Sequence, residues 1–168
     1  MSPHKCLRCN EEYRTEIGDY HYLESGLDNL WICGVEIYRC DCGESAAIPN
    51  PIEIHRVIGK CLLMKRTPLT GKEIRFLRKH MVMKAIEFAK RIGVDNSTVS
   101  RWENGKEKPS DIADRAIRLS CAARLGYHRE AELLFDEVFP EIAVDNLPNP
   151  IYLAADQSGH FTCSKECR

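Results

Sequence analysis

Glu87 to Gly105 reads EFAKRIGVDNSTVSRWENG, and two short helices broken by one glycine are written into it. Ala85, Phe88 and Ala89 recur at the spacing of a helix face, so a helix is expected from Lys84 to Ile92. Gly93 follows and supplies the left-handed turn that other residues adopt at a cost. Asp95 then stands at an N-cap position, and a second helix runs to a stop at Gly105. Val99 and Trp102 lie three apart and turn inward. The residues left on the outside are Asn96, Ser97, Thr98, Ser100 and Arg101.

That face consists of hydrogen-bond donors and acceptors. Arg pairs with guanine, Asn with adenine, and Ser or Thr hydroxyls with either, so the set matches the edges of base pairs in a major groove. In a helix-turn-helix the second helix of the pair enters that groove. Lys84 at the start of the first helix, and Lys106 and Lys108 after the second, are placed for phosphate oxygens. A solvated amphipathic helix on an ordinary bundle would explain any one of these residues alone, but not the arrangement as a whole.

The overall charge of −1 hides a strong asymmetry. Residues 1–50 carry 4 basic and 9 acidic side chains, residues 51–110 carry 14 and 6, and residues 111–168 carry 6 and 10. A cationic middle between acidic ends points to a localised polyanion footprint around the two helices.

Working outward, Thr70 and Glu73 form a capping box ahead of Ile74, Leu77 and Met81, which places a helix over about 71–80. Asn50-Pro51 opens another, with Ile54, Val57, Ile58, Cys61 and Leu62 as its apolar stripe; Pro68 ends the region by biasing Thr67 away from helical torsions. Pro109-Ser110-Asp111 begins a long helix ending near Gly126, with Ile112, Ala116, Ile117, Leu119, Ser120 and Ala123 on its expected buried face. Residues 128–139 form a shorter amphipathic helix. After Pro140 the pattern fades through Asp145 to Pro150 into a tail expected to be loose.

Before residue 50 the reading changes to β. Leu30 to Cys40 reads as one strand running into a turn, with Tyr20 to Leu23 as a weaker partner. So little apolar material cannot form a core unaided. Nine cysteines, with no apolar export signal at the start, make a disulfide framework unexpected and metal ligation the default. Cys6-x-x-Cys9 and Cys40-x-Cys42 offer four thiolates, and a structural Zn²⁺ closed by them would cross-link the two ends of the finger. The second pair is one residue shorter than the usual knuckle, so a set in which Cys33 replaces Cys40 or Cys42 competes; Cys33 otherwise fits a small core position. Cys61 and Cys121 read as core. His160, Cys163 and Cys167 in the tail offer either a second metal site or an oxidant-responsive thiol pair. His21, His55, His80 and His128 have no partner at telling spacing.

The stretches GKEIRFLRKHM, EFAKRIGVDNSTVSRWENGKEKPS and IYRCDCGE resemble the MqsA-type antitoxin family, a zinc finger joined to a Cro/XRE-type helix-turn-helix, over residues 4–120 or so. That resemblance implies a homodimeric repressor that binds a palindromic operator in double-stranded DNA and often neutralises a ribonuclease toxin. It also implies base contacts from an Asn and an Arg. The Arg falls on Arg101, whereas the Asn position falls on Ser97, with Asn96 one residue earlier, and Lys84 stands where the wider class places Gln.

The expectation is therefore a mainly α protein with a small β zinc-ribbon. A finger over 1–49 leads through a linker helix at 50–66 to a five-helix Cro/XRE-like domain over 67–126, and then to a helical extension and tail over 127–168. The expected function is that of a cytoplasmic, dimeric DNA-binding repressor with no membrane contact. An antitoxin acting through the acidic residues 1–50, or a redox- or metal-responsive regulator, stands as the alternative. No phosphate loop, nucleophile elbow or open metal site favours an enzyme.

Overall fold

The computed structural model describes residues 5, 6, 8–48, 50–142, 150–156 and 158–167. Among them are six helices and one five-stranded sheet. The strands are β1 (Arg14–His21), β2 (Leu30–Cys40), β3 (Gly43–Ala46), β4 (Ile151–Ala155) and β5 (Phe161–Ser164). The helices are α1 (Pro51–Met64), α2 (Gly71–His80), α3 (Ala85–Ile92), α4 (Asn96–Glu103), α5 (Asp111–Leu125) and α6 (His128–Leu133), the last continuing through a π-turn and a 3₁₀ turn to Glu141.

Helix starts follow the capping chemistry. Asn50 accepts from the Glu53 amide at 3.2 Å with Pro51 in the first turn of α1, and Ser110 accepts from the Ala113 amide at the start of α5. Thr70 and Glu73 satisfy each other's backbone amides at the head of α2, which covers two of the four orphan donors there. Gly93 and Gly126 end α3 and α5 in the left-handed conformation, at φ 82° and 71°.

Strand β2 is the spine of the sheet. It pairs antiparallel with β1 along one side, and on the other with β3 at its far end and in parallel with β4 at its near end. Strand β5 then adds antiparallel to β4. One expectation is extended here and one is corrected. The expected partner segment 20–23 pairs with β2 through Tyr20, His21 and the Tyr22 amide, which donates to the Leu30 carbonyl at 3.0 Å; the strand itself begins earlier, at Arg14, and Leu23 enters a 3₁₀ turn. The tail is a hairpin in the sheet: Ile151 and Leu153 alternate with less buried neighbours and face the core, which gives the segment a full share of the packing. The β-layer is thus a five-stranded sheet drawn from both ends of the chain. The fading Pro- and Asn-containing stretch at 145–149 lies outside the described residues.

One hydrophobic cluster runs from Tyr20 in β1 through Ile54, Ile58 and Leu62 of α1 to Phe88, Val99 and Trp102 of the helical pair and on to Leu153 and Phe161. Helix α1 is thus the interior wall shared by the sheet and the helical layer. Helix α5 is rotated from its expected face. Ile112 is 81% exposed and Ala123 exposed, while Asp114, Ile117, Arg118, Cys121 and Ala122 are buried.

Candidate nucleic-acid interface and cysteine cluster

Helices α3 and α4 form the pair that Gly93 joins. The Gly93 and Val94 amides both donate to the Ala89 carbonyl, at 2.9 and 3.0 Å, which closes the C-terminus of α3 before the chain turns. Asp95 occupies the N-cap geometry of α4, although its side chain makes no capping hydrogen bond. Val99 and Trp102 are buried, as their spacing requires.

Helix α4 is fastened to α2 as well. Glu103, 9% exposed, accepts from Arg78 at 2.6 and 2.9 Å and from Arg75 at 3.3 Å. Arg78 also reaches the Met83 carbonyl at 2.9 Å, so one guanidinium ties the end of α4 to the α2–α3 connection. Gly71 supplies the close approach between α2 and α4: a Cβ there would overlap the Trp102 carbonyl oxygen. None of these fasteners stood out in the sequence, since Glu103, Arg75 and Arg78 read as ordinary surface charges.

The outward face is as the spacing implies. Asn96, Ser97, Ser100 and Arg101 are exposed and Thr98 is half-buried; Lys84, at the N-cap of α3, and Lys106 and Lys108 are exposed around them. Arg101 is already engaged. Its Nε donates to Glu107 at 2.7 Å and its Nη2 to the Thr98 hydroxyl at 3.0 Å, with both charged side chains about half exposed. Glu107 is a partner of Arg101 that sequence reading missed. Its place six residues beyond Arg101, past the helix end, is outside any helical periodicity.

The second constellation is at the tip of the sheet. Cys40 and Gly43 pair across a two-residue turn, which folds Cys42 back toward Cys40, and the two sulfurs stand 3.1 Å apart. This is how a C-x-C pair presents both thiols to one point. The sulfurs of Cys6, Cys9, Cys40 and Cys42 all lie within 4.8 Å of one another, and those of Cys6 and Cys42 are 3.5 Å apart. A tetrahedral ion with bonds of about 2.3 Å sets neighbouring sulfurs at comparable separations. The backbone amides of Cys9 and Arg8 point at the Cys6 sulfur and lower its pKa to about 6. Cys42 is pushed up to about 12, first by its contact with Cys40. One thiolate is favoured without a metal; four need a cation among them.

Cys33 is not in this cluster. It is joined to Cys167, with Cα atoms 5.3 Å apart, and Cys61 is joined to Cys163, with Cα atoms 6.0 Å apart. The expectation of no disulfides is corrected. The partners are 134 and 102 residues apart in sequence, so no local spacing could announce them. Cys121 remains a free, buried core thiol.

Residues 74–113 match the family model of a helix-turn-helix. This stretch is a Cro/XRE-type helix-turn-helix domain, the kind of module that places one helix against DNA. The curated proteins and the solved structures give no match to the chain. Among the described residues no helix is long and apolar enough to cross a membrane.

Proposed function

We propose that this protein is a sequence-specific transcriptional repressor that binds a palindromic operator as a homodimer, with α4 in the major groove. The observation that carries the reading is the orientation of α4. Trp102 and Val99 anchor it inward, while Asn96, Ser97, Thr98, Ser100 and Arg101 face outward beside Lys84, Lys106 and Lys108. Arg101 exchanges Glu107 for a guanine edge on binding, and the lysines hold phosphates.

Cys6, Cys9, Cys40 and Cys42 would hold a structural Zn²⁺. Four sulfur donors fill a tetrahedral shell and leave no open position for a reacting water, so the site fastens the sheet tip and performs no catalysis. The dimer would form on the face where Ile112 and Phe135 are 81% and 61% exposed, around a depression lined by Arg115, Leu119, Phe139 and Pro140. Leu134, next to Phe135, is fully buried and takes no part in that face.

An MqsA-like antitoxin role is favoured by one further observation. Glu11, Glu12, Glu36 and Asp41 are exposed on the cysteine-bearing half of the sheet, beside Glu16 and Glu44, which share Arg39 in ion pairs. An acidic surface of this kind would cover the basic cleft of an RNA-cleaving toxin.

The test is selection from a random duplex library, followed by footprinting of the enriched sequence. A palindrome with half-sites about one helical turn apart, bound by the dimer, is expected. Enrichment of no sequence over random DNA would sink the reading. Co-expression with the product of the adjacent gene tests the antitoxin role through copurification and rescue of growth.

A further inference from the structure

The β4–β5 hairpin is bound to the rest of the protein by two disulfides whose surroundings differ in charge. Cys61–Cys163 lies in the wall of a cavity of about 510 Å³ between α1, α6 and β5. Arg56, Lys60 and Arg129 line it with Glu53 and Glu130. Lys60 and Glu130 neutralise each other in an ion pair at 2.7 Å, leaving two guanidiniums against Glu53. Cys33–Cys167 sits instead beside a carboxylate, since the β-bulge between Gly18 and Tyr20 turns Asp19 toward it. One Asp19 oxygen and the two sulfurs lie within 4.8 Å of one another, and the flanking Lys165 and Glu166 offset each other.

The two cysteines of this bond also differ in exposure. Cys61 is 6% exposed, whereas Cys163, on the outer strand β5, is exposed. A thiolate attacks the disulfide sulfur it can reach, and the other sulfur leaves.

From these observations we propose that Cys61–Cys163 is a thiol-exchange site for a low-molecular-weight anionic thiol that enters the cavity. The incoming thiolate attacks Cys163 Sγ, and a new sulfur–sulfur bond forms as the Cys61–Cys163 bond breaks. The electron pair leaves on Cys61 Sγ, which then takes a proton from solvent. A second thiolate attacks the mixed disulfide, freeing Cys163 and carrying the small disulfide away; alternatively Cys61 attacks it and restores the original bond. Cys33–Cys167 resists the same reagent because Asp19 repels it. The consequence is local: opening removes the covalent tie between edge strand β5 and α1, while Cys33–Cys167 still holds the end of the hairpin to β2.

The experiment uses the full chain and glutathione as the probe, with acid quenching, maleimide capture of released thiols and peptide mapping. Cys61 should be captured on the order of tenfold faster than Cys33, since a unit charge at about 5 Å in water alters a thiolate's approach by roughly fourfold and the two sites differ in sign. 2-Mercaptoethanol, whose thiolate lacks the further net negative charge that glutathione carries on its carboxylates, should at equal thiolate concentration reduce that preference severalfold, and so should the Arg56→Gln/Arg129→Gln double variant. Asp19→Asn, which keeps an acceptor for the Gly34 amide, should speed capture of Cys33. Equal capture of Cys61 and Cys33 by glutathione would overturn the proposal, as would a preference identical for both thiols. Capture of Cys61 and Cys163 before any thiol is added would overturn it too. None of these readouts involves DNA, so the result stands apart from the repressor reading.

Discussion

Arg118 donates its Nε to the Asp114 carboxylate at 2.6 Å, one turn apart on α5, and both side chains are sealed from water. The rest of the guanidinium caps another helix. Nη1 reaches the carbonyls of Leu62, Leu63 and Lys65 at 3.2, 2.6 and 2.7 Å, and Nη2 reaches that of Thr67 at 2.8 Å. Those carbonyls end α1 and start its exit loop, where helical partners run out and the dipole is negative. Asp114 meanwhile accepts from the Leu69 amide at 2.6 Å. The pair therefore converts the α1–α2 connection into a rigid joint between the sheet layer and the helix-turn-helix.

Replacing Arg118 with Met should lower global stability by about 3–5 kcal/mol, because a buried carboxylate and several carbonyls lose their donor together. Thermal unfolding followed by circular dichroism checks this. A shift equal to that of an exposed substitution such as Lys90→Met would show that water replaces the guanidinium.

Gly71→Ala tests the close approach of α2 and α4. The added Cβ meets backbone, the Trp102 carbonyl, and no rotamer change relieves it. A loss of about 1–3 kcal/mol is expected from overpacking, against the gain that Gly→Ala gives at an unhindered helix start. Denaturant midpoints decide the sign.

The outer face of α4 and the cysteine set were legible in the sequence because each is announced by local spacing. Trp102 three beyond Val99, Gly93 between two apolar runs, and Cys6 with Cys9 are short-range patterns. The face of α5 was misjudged for the opposite reason. Arg118 reads as a solvent residue until the carbonyls of a helix more than fifty positions earlier are known to surround it. The same holds for the tail. Leu153 is fully buried only because β4 lies parallel to β2, a pairing between segments more than a hundred residues apart that local alternation in Ile151–Ala155 cannot reveal.

Removing Glu107 should strengthen DNA binding. Its carboxylate holds Arg101 in the free protein and repels phosphate in the complex, so Glu107→Gln is expected to raise affinity for all duplexes several-fold. Arg101→Ala should cost about 1–3 kcal/mol of discrimination per half-site, and Lys84→Ala should weaken all sequences alike and flatten the salt slope by about one unit. Titrations of an enriched operator and a scrambled duplex at several salt concentrations separate the three. Equal losses on both duplexes for Arg101→Ala would remove it from the base-reading set.

Metal chelation should act on the tip of the sheet alone. Residues 5, 6, 8–13 and 40–46 contain the four thiols and few buried apolar side chains, whereas Ile32, Val35 and Ile37 of β2 are packed into the common core. Amide exchange should therefore quicken in those two stretches while Ile17 to Ile37 stays protected. Loss of protection along the whole of β2 would mean that the metal supports the entire sheet.

A row of rings fills the seam between α1 and α2, and it predicts an acid-sensitive step. Tyr22 lies 3.3 Å from His55 Nε2, Phe76 packs between His55 and His80, and the His80 Nε2 lies 3.1 Å from the Tyr127 hydroxyl. Gly59 makes room for it, since a Cβ there would come within 3.1 Å of the His80 ring. Burial lowers the pKa of both histidines from 6.5, and for His80 the charges of His55 and Arg56 lower it further. A histidine depressed in the folded state is protonated first in the unfolded chain, so its contribution is complete above pH 6.5 and lost as pH falls through the folded pKa. Stability should decline on acidification below 6.5, and His80→Asn should flatten the decline. The cysteine cluster also gains protons in acid, so the measurement is the difference in denaturant midpoint between wild type and variant at each pH. A difference that stays constant from pH 7.5 to about 5 would place the acid sensitivity elsewhere.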